Sequence, residues 1–92
     1  VKFEWDNNKA KSSVLKHRIS FDEAQTVFDD YFTVTIADEE HSFDEKRFIT
    51  IGQSESGRIV LVCHTFEKGK IRIISARKPT KGERKKYEHE RN

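Results

Sequence analysis

Only one cysteine, one proline and four glycines occur in the 92 residues, and there is no methionine. With Cys63 alone, neither an internal disulfide nor a thiolate-built zinc cluster can form. The glycines are too few and too scattered for a phosphate-cradling loop. No histidine pair has the spacing of a zinc protease, and no Ser/His/Asp or Cys/His arrangement can be recognised. No apolar run approaches the length of a membrane span, and the first residues lack the apolar stretch of a signal peptide. These absences predict a soluble, cytoplasmic protein with no membrane partner. The length predicts one domain over residues 1–92, able to bury one modest core.

What the chain has in abundance is charge, and the charge is segregated. Val1 to Glu45 carries 5 Lys/Arg against 11 Asp/Glu, whereas Lys46 to Asn92 carries 13 against 5. A net +8 half joined to a net −6 half is hidden in a formal total of +2. Lys and Arg at that density suit a polyphosphate, because they displace the counterions condensed on a nucleic-acid backbone. A solvated basic surface would have the same composition. The segregation also allows two copies to meet, acidic half against basic half, as a homodimer.

Local signals order the elements. Lys2 to Trp5 reads as a strand, and Asp6 offers an N-cap for a helix over 7–16 with Ala10, Val14 and His17 on its inner face. Ser20 and Glu23 have capping-box spacing ahead of a helix whose apolar stripe is Phe21, Ala24, Val27 and Phe28. Strands follow at 33–37 and 46–52, separated by an acidic loop over 38–45. Two apolar strands, 59–66 and 70–76, close through Lys68 and Gly69 as a hairpin. Thr80 and Glu83 then open a last helix behind Pro79. The order predicts an α+β fold with an antiparallel sheet, two N-terminal helices and one C-terminal helix packed on it.

A two-residue turn would pair His64 with Ile73, Val62 with Ser75 and Val60 with Arg77, all on one face; a bulge would part them. Arg77 and Lys78 then read as a phosphate clamp at the strand end beside the last helix, or as an ordinary solvated strand end. Arg47 and Arg72, on neighbouring strands, converge there. His64 is either a hydrogen-bonded core histidine or a group that exchanges a proton near neutral pH. Glu45 is a base or an ion-pair partner of Arg47, and Tyr87 a packing residue or an acid. Lys81, Arg84 and Lys85 extend the basic surface along the last helix. The acidic loop residues have no spacing that fixes a metal geometry, so neither metal nor other cofactor is expected.

The stretches "FEWDNNKAKSSVLKHRISFDEAQTVFDD", "RFITIGQSESGRIVLVCHT" and "IRIISARKPTKGERKKYE" resemble, in that order, the BrnT family of type II toxin–antitoxin ribonucleases. The resemblance runs from Phe3 to about Glu88 and falls on Trp5, Asp6, Lys9, His17, Arg47, His64, Arg72, Arg77, Glu83 and Tyr87. It implies a RelE-like fold and a toxin that arrests translation by cutting RNA. It also implies a BrnA-like antitoxin with a ribbon-helix-helix domain, forming a complex such as a heterotetramer that reaches operator DNA only through the antitoxin. On that reading the RNA 2′-hydroxyl attacks its own phosphate without a metal. Arg47, Arg72 and Arg77 hold the developing charge, His64 moves the proton, and Glu45 and Tyr87 stand in reserve. Lys78, Lys81, Arg84 and Lys85 bind RNA. A non-catalytic basic module that docks nucleic acid or a partner is the competing expectation.

Overall fold

The computed structural model describes residues 1–91, with side chains through His89. Strand β1 (Lys2–Trp5) leads into helices α1 (Asn7–His17) and α2 (Phe21–Thr26), and a 3-10 turn, Val27–Asp29, extends α2. Strands β2 (Val34–Ala37), β3 (Phe48–Gln53), β4 (Ile59–Glu67) and β5 (Lys70–Arg77) follow, and α3 (Lys81–Arg91) ends the described chain. The caps read from sequence form. The Asp6 carboxylate accepts from the Asn8 N–H, and Ser20 Oγ from the Glu23 N–H at 3.0 Å. At α3 the exchange is reciprocal, Glu83 N–H to Thr80 Oγ1 and Thr80 N–H to Glu83 Oε1.

The sheet order is β1-β5-β4-β3-β2. β2 to β5 form an antiparallel meander, but β1 pairs with β5 in parallel, Lys2 opposite Lys70 and Trp5 opposite Ile73. The sheet is therefore mixed, which corrects the purely antiparallel expectation. A strand followed by two helices returns to the sheet with no tight turn to dictate its direction, so local sequence carries no sign of that pairing.

The two faces are built differently. Ile19, Phe21, Ala24 and Val27 pack against Val60, Val62, Ile71, Ile73 and Ala76, so α1 and α2 close one face. On the other face Tyr87 is, among the described residues, the one side chain of α3 that buries fully, against Ile51 and Leu61. The link between α2 and β2 runs tightly over Gly52, where a Cβ would lie 2.7 Å from Thr33 Cγ2. Asp30 in this link accepts from the Gln53 N–H and from the Tyr87 hydroxyl, tying the two layers together at the sheet edge.

Helix α1 sits with Ser13, not Val14, buried against β5. The Ser13 hydroxyl donates to the Ile19 and Ala76 carbonyls, and so small a residue lets helix and strand approach. Val14 and His17, expected on the inner face, are exposed.

Candidate nucleic-acid interface

The hairpin turns through Lys68 (φ 52°) and Gly69 (φ 76°), and pairs His64 with Ile73 and Thr65 with Arg72 as expected. A bulge then intervenes. Cys63 faces Ser75, while Val62 faces Ala76 and Leu61 faces Arg77. The extra residue, Ile74, reverses the facing of everything after it. Arg77 therefore lies on the α3 face and His64 on the α1/α2 face, correcting the expectation that one face held both.

His64 is 4% exposed. Phe28 meets its ring edge-on at 5.0 Å, Phe48 stacks on it at 6.0 Å, and its Nε2 lies 2.8 Å from Thr50 Oγ1. Burial pushes its pKa down, keeping the ring neutral. Tyr87 is 1% exposed with its hydroxyl given to Asp30. Both side chains are buried and hydrogen-bonded within the fold.

The α3 face carries the charges. Asp38 N–H donates to the Arg47 carbonyl at 2.8 Å, extending the β2–β3 register by one pair. Continuing β3–β4 in the same way sets Arg47 opposite Thr65, which faces Arg72, which faces Glu4. A single row of side chains thus crosses the sheet as Asp38, Arg47, Thr65, Arg72, Glu4. Ile49, Cys63 and Ser75 form the next row, and Ile51, Leu61 and Arg77 the one beyond. The first and third rows are about 13 Å apart at about 3.3 Å per residue, so Arg47 and Arg72 share one row and Arg77 stands two rows away.

Arg77 is held by a bidentate pair with Glu83, at 2.9 and 3.1 Å. Each partner strengthens the other's charged state. The Glu83 carboxyl is drawn down to about 2, mainly by Arg77, and the Arg77 guanidinium is raised, mainly by Glu83. Asp38 and Cys63 also favour the charged form of Arg77. Arg47 Nε is buried with no hydrogen-bond partner among the described residues. Such a donor is expensive to leave unmet, and an acceptor oxygen reaching it would remove the penalty.

Glu45 is exposed and lines a cleft with Arg72, Glu4 and Glu67. Lys78, Lys81, Arg84 and Lys85 are exposed at the start of α3, and Arg84 pairs with Glu88 at 2.7 Å. One residue beside this row, His41, went unassigned in the sequence reading. His41 Nδ1 sits 3.0 Å from the Asp38 carboxylate, its side chain 57% exposed, at the end of the charged row. The signal was present as Asp38 and His41 three residues apart, which a 3-10 turn over Glu39–His41 brings together.

This is an α+β protein with one apolar sheet face closed by two helices and a second face on which arginines and carboxylates are interleaved. A family model described as the ribonuclease toxin BrnT of type II toxin–antitoxin systems matches residues 5–83, and the chain belongs to that family. The fold is similar to the crystal structure of the Brucella abortus ribonuclease toxin BrnT, with a TM-score of 0.67 at 18% identity, covering 88% of this chain and 99% of that one. No curated protein matches the chain.

Proposed function

We propose that the α3 face cuts RNA by metal-independent transesterification. The 2′-oxygen bonds to phosphorus as the bond to the 5′-oxygen breaks, leaving a 2′,3′-cyclic phosphate and a 5′-hydroxyl. Arg47, Arg72 and Arg77 stabilise the added negative charge on the phosphorane, each contact contributing about 2.7–4 kcal/mol when well placed. The observation that carries this reading is the row on the α3 face that sets Arg47 and Arg72 in line with Asp38 and the exposed His41 beside it.

Proton transfer falls to exposed groups on the same side. His41, oriented by Asp38, takes the proton of the attacking 2′-hydroxyl while the departing 5′-oxygen takes one from water, and Glu45, exposed in the cleft with Arg72, stands in reserve. Lys78, Lys81 and Arg84 contribute backbone binding. The chain acts in the cytoplasm, arrests translation, and is neutralised by a BrnA-like ribbon-helix-helix antitoxin that covers this face and carries the complex to operator DNA. Kinship with RelE-like ribonucleases fits the same layout.

Purified protein incubated with total RNA and EDTA tests the proposal. Fragments ending in cyclic phosphate and 5′-hydroxyl are expected. Cleavage only after Mg²⁺ is added would sink the metal-free route, and no cleavage even with ribosomes present would favour a non-catalytic binding module.

A further inference from the structure

Three clefts join end to end around the rim of the sheet. The first, about 230 Å³, lies between α1 and the bulged part of β5, with Lys9, Ser12, Lys16 and His17 along its helical wall. The second shares Lys16 and His17 and adds Arg18, Arg77 and Lys78. The third shares Lys78 and continues past Pro79 to Arg84 and Arg58. No Asp or Glu lines any of the three. The cleft around Arg72 differs, setting Glu4, Glu45 and Glu67 against Lys68, Lys70 and Arg72.

The cations of the rim divide by their partners. Arg58, Arg77 and Arg84 are held by Glu23, Glu83 and Glu88. Lys9, Lys16, Arg18 and Lys78 have no ion-pair or side-chain hydrogen-bond partner among the described residues. Lys9, Ser12 and Lys16 recur at i, i+3 and i+7, one stripe of α1. Ser13, one position round, docks the helix on β5 and leaves that stripe over the cleft. Arg18 is launched from a fixed point. Its φ is 57°, its N–H donates to the Val14 carbonyl, and its carbonyl accepts from Arg58.

We infer that this rim is a track for single-stranded RNA backbone, carrying the strand from the reacting phosphate at Arg77 over the end of β5 and along α1. The inference rests on the RNA reading of the α3 face and extends it to a surface contributed by the acidic half of the sequence. Spaced point charges with no ion-pair partner hold successive phosphates and read no base. Four unpaired cations give log affinity a slope of about −2.8 against log salt, at about −0.7 for each single-strand contact.

Binding of a short single-stranded RNA with 2′-O-methyl riboses throughout, followed by fluorescence anisotropy, separates the track from the chemistry because this probe cannot be cut. Lys9→Gln with Lys16→Gln is expected to weaken binding about tenfold at low salt and to flatten the slope by about 1.4. Lys9→Arg with Lys16→Arg keeps both charges and should bind like the wild type, with the thermal midpoint checked for each variant. Lys2→Gln with Lys11→Gln removes the same charge from exposed positions off the rim and should also bind like the wild type. Equal loss in that control would reduce the track to net charge and overturn it. So would unchanged RNA binding in the α1 pair, including the case where that pair instead loses the copurifying partner protein. Cleavage by a wild type whose α1 pair binds RNA normally refutes the track and leaves the proposed activity standing; track binding without cleavage does the reverse.

Discussion

The two faces of the sheet share every strand and differ in almost everything else. On the α1/α2 face, apolar residues from two helices meet Val60, Val62, Ile71 and Ile73, and the one ionisable ring there is walled in by Phe28 and Phe48. On the α3 face, Tyr87 covers Ile51 and Leu61, Ile49, Ile59 and Cys63 pack beside them, and Arg47, Arg72, Glu4 and Arg77 stand on the rows to either side. Strand periodicity assigns neighbours to opposite sides, so a single chain satisfies both demands. The closed face supplies most of the apolar burial. The open face then bears arginines with little apolar cover, at the expense of one donor left unmet at Arg47.

The sharpest test of this division uses the two histidines as opposites. His41→Gln should lower RNA cleavage about 10²–10⁴-fold, the range for losing a general acid–base group, with the thermal midpoint unchanged because the side chain is mostly exposed. A rate within about twofold of wild type would remove proton transfer from the Asp38 end of the row.

Arg77→Lys comes next, with about a hundredfold loss of cleavage rate and modest loss of RNA affinity. A guanidinium can hold Glu83 and present a fork to phosphate, which a lysine point charge cannot reproduce. Full activity in this variant would leave the open face a general electrostatic surface. Single-turnover rates at saturating protein separate the two effects.

His64→Gln should act on stability alone, costing about 1–3 kcal/mol in urea unfolding while the folded fraction keeps its rate. The sign of its pH dependence follows from burial. Its folded pKa lies below the usual 6.5, so the unfolded chain binds the proton more readily. Wild-type stability from this group is complete above 6.5 and declines as pH falls through the histidine range; the glutamine variant lacks that decline. Glu23 and Glu83 act lower, each drawn from 4.5 to about 2 by an arginine partner, so their contribution is lost between those values. Cleavage that vanished in folded His64→Gln would reopen its catalytic role.

The comparison of faces was only partly legible in the sequence. Caps at Asp6, Ser20 and Thr80 and the turn at Gly69 are local, and they form where the residues place them. The bulge was hidden, because "IRIIS" reads as an uninterrupted apolar strand and Ile74 carries no glycine or polar mark. That one residue decides whether Arg77 shares a side with His64. Hydropathy favoured Val14 over Ser13 for the inner face of α1, but the Ser13 hydroxyl meets two backbone carbonyls that a valine would leave unpaired. The parallel pairing of β1 with β5 joins residues far apart in the chain and depends on the assembled core.

The smallest effect is expected at Lys85, and its smallness is informative. Lys85 is exposed on α3, has no ion-pair partner among the described residues, and lines none of the rim clefts. If binding depended on total charge, Lys85→Ala would flatten the salt slope by about 0.7, as much as losing any other single-strand contact. If binding depends on the open face and its rim, the slope should change by less than about 0.3 and the bound cleavage rate should stay at the wild-type value. Titrations at several salt concentrations with Lys85→Ala and Lys16→Ala side by side decide the matter. Equal slopes for the two variants would show that the RNA samples surface charge wherever it lies, and the contrast between faces would then describe folding and not recognition.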